Sequence, residues 1–272
     1  MKNTNDSVPV AIAIVAHPDD IEFMMGGTLL LLKKAGYEIH YINLANGCCG
    51  SQEYNSRQTT AIRKKESQQA AEVLGAHYHP SICNDLEIFY NVRLLRRLTA
   101  LIREVKPTIV LTQSPYDYME DHINTGRLAV SAAFCRGMPN FKTTPLQDAI
   151  PQDTTVYHAL PYGLNDSLRK PVVPGVFVNT SSVYETKLKA LSAHKSQQGW
   201  LDVSQGLNSY LQTMEEMSLE VGKMSGRFKH AEGWQRHSHL GFCQKGADPL
   251  CEALGKDYLV NESYEQLIKG GN

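Results

Sequence analysis

Val8-Pro-Val-Ala-Ile-Ala-Ile-Val-Ala16 is an almost unbroken apolar run rich in β-branched residues. Such a run suits a strand buried on both faces. Gly26-Gly27-Thr28 follows, then a helical stretch from Leu29 to Lys34 that stops at Gly36. Glu38 to Leu44 predicts a second strand, and Asn46 to Ser56 a polar loop. Thr59 to Leu74 has helical character and ends at Gly75, and Val92 to Val105 is an amphipathic helix ended by Pro107. Thr108 to Thr112 is again a short buried strand, and Thr125 to Cys135 a helix. This alternation predicts an α/β fold with a mostly parallel sheet and helices on both faces.

Beyond residue 135 the pattern weakens. Pro139, Pro145 and Pro151 mark residues 138–151 as a loop, long enough to act as a lid. Val156 to Leu160 and Val172 to Val178 predict strands, and Tyr184 to His194 and Ser204 to Lys223 predict helices. After Gly226 periodicity is lost, so residues 201–272 read as a helical, irregular C-terminal extension packed on a domain of residues 1–200.

Charge narrows the function classes. With 27 basic and 28 acidic side chains the formal net charge is -1, which argues against a general binder of nucleic acid or anionic membranes. Short basic runs such as Arg63-Lys64-Lys65 fit a solvated helix face. No apolar run reaches the roughly 20 residues of a membrane span, and the first strand lacks the cleavage site of a secretory signal. The six cysteines, at 48, 49, 83, 135, 243 and 251, show no C-x-x-C spacing. Free thiols in a cytoplasmic protein are the expectation.

The densest chemistry is Ala16-His17-Pro18-Asp19-Asp20-Ile21-Glu22, directly after the first strand. Carboxyl ends of strands line the binding crevice of an open parallel sheet. A nucleotide site would place G-x-G-x-x-G here. One imidazole and three carboxylates repel a pyrophosphate and suit a divalent cation, zinc first, with iron, cobalt or manganese also compatible. Ordinary turn chemistry is the competing reading, because Asp19 or Asp20 could simply cap the next helix.

AHPDDIE followed by GGTL resembles the first motif of the PIG-L/LmbE family of zinc-dependent deacetylases. Arg63-Lys-Lys-Glu66 with Ala70, Ala71, Leu74 and Gly75 is similar to that family's R-x-x-E-x-x-x-A-x-x-x-L-G helix. Lys106-Pro-Thr-Ile-Val110 resembles its K-P-x-x-V strand, Asp121-His122 its second metal motif, and His194-Lys-Ser-Gln197 its late H-x-S-Q motif. The resemblance covers roughly residues 9 to 200. It implies a Rossmann-like domain with one Zn²⁺ held by His17, Asp20 and His122. Asp19 would be the general base for attack of a zinc-activated water on the amide of an N-acetylated sugar or glycoconjugate.

The resemblance implies further roles. Arg63 and Asp85 would contact substrate, with a surface helix charge as the alternative for Arg63 and a turn aspartate explaining Asp85 equally. His194 would act in catalysis or, with Gln197, line the cleft or support it; a satisfied buried histidine is the alternative. Glu22 would orient the metal loop or pair with Arg63. Cys48 and Cys49 stand where the family has a Thr-x-Gly-like turn, and His77 and His79 read as solvated. One departure matters: Met119-Glu120-Asp121-His122 stands where many relatives read H-P-D-H. Methionine has no proton to donate, so either His194, His237, His239 or Glu120 replaces the absent imidazole or turnover is poor, with zinc alone or Asp19 returning its proton as the fallback. The partner is a small N-acetyl sugar or glycoconjugate, with room for a homo-oligomer. Hydrolysis of another N-acyl amide, or zinc or sugar binding without turnover, remain as alternatives.

Overall fold

A computed structural model describes residues 8–198 and 210–270. Among them, eight strands form one sheet in the order β3-β2-β1-β4-β5-β7-β6-β8. The strands are β1 (Val10–Val15), β2 (Glu38–Asn43), β3 (His77–His79), β4 (Ile109–Thr112), β5 (Thr155–Ala159), β6 (Val176–Asn179), β7 (Ala231–Arg236) and β8 (Tyr258–Val260). β1 pairs in parallel with β2 on one side and β4 on the other, Ala13 lying opposite Tyr41 and Leu111. β3 and β5 extend this parallel set. β7 runs antiparallel to β5 and β6, and β8 antiparallel to β6.

Although β1 is apolar throughout, its side chains divide between two cores. Ala11, Ala13 and Val15 face a cluster with Leu29, Tyr41, Leu74 and Trp234. Ile12 and Ile14 face Leu94, Leu98, Val110 and Leu128. That is the period of two expected of a strand sandwiched between helices. The helices are α1 (Asp20–Met24), α2 (Gly26–Lys34), α3 (Ser56–Leu74), α4 (Val92–Val105), α5 (Glu120–Cys135), α6 (Tyr184–Leu191), α7 (Tyr210–Met224), α8 (Pro249–Leu254) and α9 (Glu262–Gly270).

Local chemistry sets their ends. Asn55 and Gln58 form a reciprocal capping box that starts α3 three residues before the apolar pattern begins, and Gly75 ends it at φ 68°. Asn91 caps α4. The start of α2 has no local cap. Glu232 on β7 supplies one, accepting from Gly27 N at 2.8 Å and Thr28 N at 2.7 Å. Any side chain at Gly27 would collide, its Cβ lying 2.5 Å from Thr180 Cγ2.

Three expectations change. Residues after Gly226 look irregular in pattern but supply β7 and β8 to the same sheet, because antiparallel strands this short and half-polar carry little periodicity. Residues 138–151 form the expected loop but no lid: Arg103 donates to the backbone carbonyls of Cys135, Arg136, Met138 and Gln147 and ties it down. The helix expected from Ser204 is described from Tyr210, and the boundary expected at residue 200 lies outside the described residues.

Candidate metal centre and cleft

Strand order reverses where β1 and β4 lie side by side, the position at which open α/β sheets bind ligands. The turn after β1 and the segment after β4 meet there. Asp19 adopts φ 105°, a left-handed conformation that is strained for a residue with a Cβ. The turn is held from several directions. His17 N donates to Asp20 Oδ2 at 2.8 Å, and Gln113 Nε2 donates to the same oxygen at 2.9 Å. Gln113 Oε1 accepts from Ala16 N at 2.9 Å. The Arg63 guanidinium donates to Pro18 O.

His17, Asp20 and His122 offer ligand atoms that all lie within 4.8 Å of one another. Each histidine has a carboxylate on its outer nitrogen. His17 Nε2 lies 3.0 Å from Asp121 Oδ2, and His122 Nδ1 lies 3.0 Å from Asp117 Oδ1. A donated outer N–H leaves the inner nitrogen as a lone-pair ligand. The inner atoms, His17 Nδ1 and His122 Nε2, lie 3.7 and 3.5 Å from Asp20 Oδ2. Two imidazoles and one carboxylate converging beside an open cleft fit a zinc-type ion with a free position. Without the ion the group is strongly polarised. Burial opposes charge on His17, but hydrogen bonds to Asp121 and Asp20 lift its pKa to about 10. Burial likewise opposes the Asp20 carboxylate, and His122 and His17 hold it at about 2.

Asp19 sits beside this group. Tyr210 donates its hydroxyl to Asp19 Oδ2 at 2.6 Å, and Arg63 Nη2 lies 3.5 Å from the same oxygen. Burial raises the Asp19 pKa above the ordinary carboxylate range, with Arg63 and Tyr210 pulling the other way.

The cleft, of about 250 Å³, is lined by His17, Asp19, Asp20, His122, Arg63, Asp85 and Gln197, with an apolar wall of Phe23, Tyr118, Met119 and Tyr162. Arg63 is only 1% exposed, yet its Nε and Nη1 have no hydrogen-bond partner among the described residues. Asp85 lines the cleft and also braces its rim, accepting from Gly47 N at 2.7 Å and Cys49 N at 2.8 Å.

His194 is elsewhere. It is fully buried behind the turn, its Nε2 3.3 Å from Glu22 Oε2, and it is not among the cleft-lining residues. A cleft-facing catalytic group would need exposure that His194 lacks. Glu22 pairs with His194 and Tyr41, not with Arg63. The late motif reaches the cleft through its other members. Glu66 accepts from Ser196 N at 2.8 Å and Ser196 Oγ at 2.6 Å, and Gln197 lines the cleft beside it. His237, His239 and Glu120 do not line it either. His237 is turned against His158, 3.0 Å between ring nitrogens. Met119 does line the cleft, and no further imidazole takes the expected place among the described lining residues.

Sequence reasoning did not find Gln113, Asp117, Tyr118 or Tyr210. The first three follow β4, and a strand's carboxyl end is a position that could have flagged them. Tyr210 has no local signal.

A family model described as PIG-L: GlcNAc-PI de-N-acetylase matches residues 12–133. The chain is similar to the diacetylchitobiose deacetylase of Thermococcus kodakarensis, 31% identical over 234 residues, covering 84% of this chain and 83% of that one. It is 28% identical over 200 residues to a probable N-acetyl-alpha-D-glucosaminyl L-malate deacetylase 2 of Bacillus cereus, covering 68% and 82%. Among solved structures, the 4-carboxy-2-hydroxymuconate hydratase of Pseudomonas putida superposes with a TM-score of 0.71 at 22% identity, over 88% of this chain and 99% of that one.

Proposed function

Since the chain belongs to the PIG-L (LmbE-like) family, we propose that it is a metal-dependent hydrolase removing the acetyl group from an N-acetylated sugar or glycoconjugate. The convergence of His17, Asp20 and His122 on one point beside Asp19 carries this reading. A zinc ion held by those three would supply Lewis-acid polarisation of the amide carbonyl and of a water.

The remaining chemistry belongs to the protein. Asp19 takes the proton from the attacking water. Tyr210 and Arg63 both address its Oδ2, which leaves Oδ1 for that proton. As the C–N bond breaks, Asp19 returns the proton to the amine nitrogen, and acetate and a free amino sugar leave. Because burial raises its pKa, Asp19 can hold the proton between the two transfers. Gln197, which lines the cleft, offers hydrogen bonds to acetyl and sugar oxygens, and Arg63 stands behind Asp19 as its cation. Phe23, Tyr118 and Tyr162 offer an apolar wall to the sugar ring. His194 is a positioning residue that steadies Glu22 beneath the turn. The six unpaired cysteines support a reducing compartment, the cytoplasm. No helix among the described residues is long and apolar enough to cross a membrane.

One observation favours a second reading. Met119 leaves the cleft without a spare imidazole to protonate a leaving amine, and hydration of an unsaturated carboxylic acid has no such amine. The zinc-loaded protein should release acetate from at least one member of a panel of N-acetylated mono- and disaccharides. No acetate release, with hydration of a conjugated dicarboxylic acid instead, would select the second reading.

A further inference from the structure

A second group of potential metal ligands lies on the cleft rim, built from residues that the proposed chemistry does not use. Cys48 and Cys49 project from the loop after β2, their sulfurs 3.8 Å apart. Two metal–sulfur bonds of about 2.3 Å at a tetrahedral angle span about 3.8 Å. The spacing is therefore that of two thiolates on one ion, and is far from the about 2.05 Å of a disulfide. The Asp85 carboxylate completes the set, with ligand atoms of all three residues within 4.8 Å of one another.

The loop is preorganised. Asp85 fixes Gly47 N and Cys49 N, Asn46 Oδ1 accepts from Cys48 N at 3.1 Å, and Asn46 Nδ2 donates to Asn84 Oδ1 at 2.8 Å. Gly47 makes the turn at φ 75° directly over Arg63, where a Cβ would lie 2.9 Å from Arg63 Nε. Each Asp85 oxygen keeps a second lone pair after accepting its backbone N–H.

We propose that Cys48, Cys49 and Asp85 form a second site for a thiophilic divalent cation such as zinc or cadmium, separate from the His17, Asp20 and His122 centre and inhibitory to it. Binding replaces two S–H protons by two metal–sulfur bonds and releases both protons to solvent, with no change of oxidation state. Two thiolates and a carboxylate give the bound divalent ion a net charge of -1. The Asp85 carboxylate attracts a cation, and the release of two thiol protons makes its capture strengthen as the pH rises. Cys49 and Asp85 share the cleft with His17 and His122, so an ion here narrows the way in. Only the inhibition depends on the deacetylase reading; the ion site does not.

Cadmium titrated into the reduced, metal-loaded protein should develop the ultraviolet thiolate-to-cadmium charge-transfer band with one equivalent beyond the first centre, releasing two protons. Cys48→Ser/Cys49→Ser should lose the band, and Asp85→Asn should weaken binding by at least about tenfold. His17→Ala/His122→Ala should keep it. No band in the native protein, or a band that survives in the double serine variant, would overturn the site. A band lost from the double alanine variant would mean that the thiols merely extend the first centre, and would also overturn it. Turnover, measured against each protein's own rate without cadmium, should fall in the native protein and hold steady in the double serine variant. Equal sensitivity in both would overturn the inhibitory role. If no variant hydrolyses any N-acetyl sugar, the deacetylase reading fails while the cadmium band still decides the site.

Discussion

Strands β1 to β5 and the segments at their carboxyl ends carry His17, Asp19, Asp20 and His122, whereas no residue of β6, β7 or β8 lines the cleft. The antiparallel strands instead hold the parallel half in place. Glu232 on β7 caps α2 and pairs with Lys187 on α6 at 2.8 Å, both side chains at most 2% exposed. Trp234, also on β7, donates its indole N–H to Thr28 Oγ1 at 3.1 Å. Glu232 and the Gly27 backbone that it caps lie 205 residues apart in the chain. Damage to either half should therefore read out differently.

The largest effect is expected in the parallel half. In His17→Ala/His122→Ala made on a Cys48→Ser/Cys49→Ser background, stoichiometric metal should vanish and turnover fall to background, with the thermal midpoint of the metal-free protein little changed. Full zinc occupancy by elemental analysis would remove these residues from the centre. Asp19→Asn keeps the size of the side chain but cannot take a proton. It should retain the metal and lose about 10²- to 10⁴-fold in kcat; near-native kcat would move the base elsewhere.

Damage to the antiparallel half should reverse this signature. Lys187→Met leaves Glu232 buried without its cation, a change that costs about 3–5 kcal/mol. Urea unfolding should show that loss, while the fraction still folded keeps the metal of the His17, Asp20 and His122 centre and turns over normally. A variant of native stability with depressed kcat would mean that the pair serves the chemistry and not the frame.

What the sequence discloses follows the same division. The parallel half was legible because its signals are local. β1 is a buried apolar run, α4 ends at Lys106 before Pro107, and His17, Asp19 and Asp20 occupy one turn. Even there, contacts between distant segments were hidden: that Asp117 would orient His122, that Ser196 would meet Glu66, or that His194 would turn to Glu22 and away from the cleft. β7 and β8 were unreadable because they draw their order from partners. Ala231–Arg236 alternates weakly and contains Gly233, and only the neighbouring strands make it a strand. Tyr210, which reaches Asp19 across 191 positions, has no sequence neighbour to announce it.

A smaller effect probes how the metal centre is oriented. Asp117→Asn keeps an oxygen near His122 Nδ1 but removes the charge that fixes its tautomer. Supporting carboxylates of this kind contribute about 10- to 100-fold in metal affinity or activity. On the Cys48→Ser/Cys49→Ser background, competition with a chelator should show a loss of that size, against complete loss when His17→Ala/His122→Ala is added. Unchanged affinity would show that Asp20 and the backbone alone orient the ring.

The smallest effect lies on the seam between the two halves. His158 on β5 has Nδ1 2.8 Å from Gln113 O and Nε2 3.0 Å from His237 Nδ1, which follows β7. A carbonyl only accepts, so Nδ1 carries the proton and Nε2 accepts from His237. Burial, with His237 nearby, lowers the His158 pKa from 6.5 to about 4. Between those values the unfolded chain binds a proton that the folded chain does not. Stability therefore rises with pH through this window and is lost as the solution is acidified below about 6.5. For His158 alone the loss from about pH 7 to about pH 5 is about 2 kcal/mol. His79, also lowered to about 4 by burial and by His40, adds to the slope at the far edge of the sheet. In His158→Asn the amide nitrogen can replace Nδ1 as donor to Gln113, but position 158 no longer titrates. Unfolding midpoints at the two pH values should differ less in the variant than in the native protein by that amount. An undiminished difference would assign the acid sensitivity to His40, His79 and His237, each also lowered by burial, and leave His158 without a part in it.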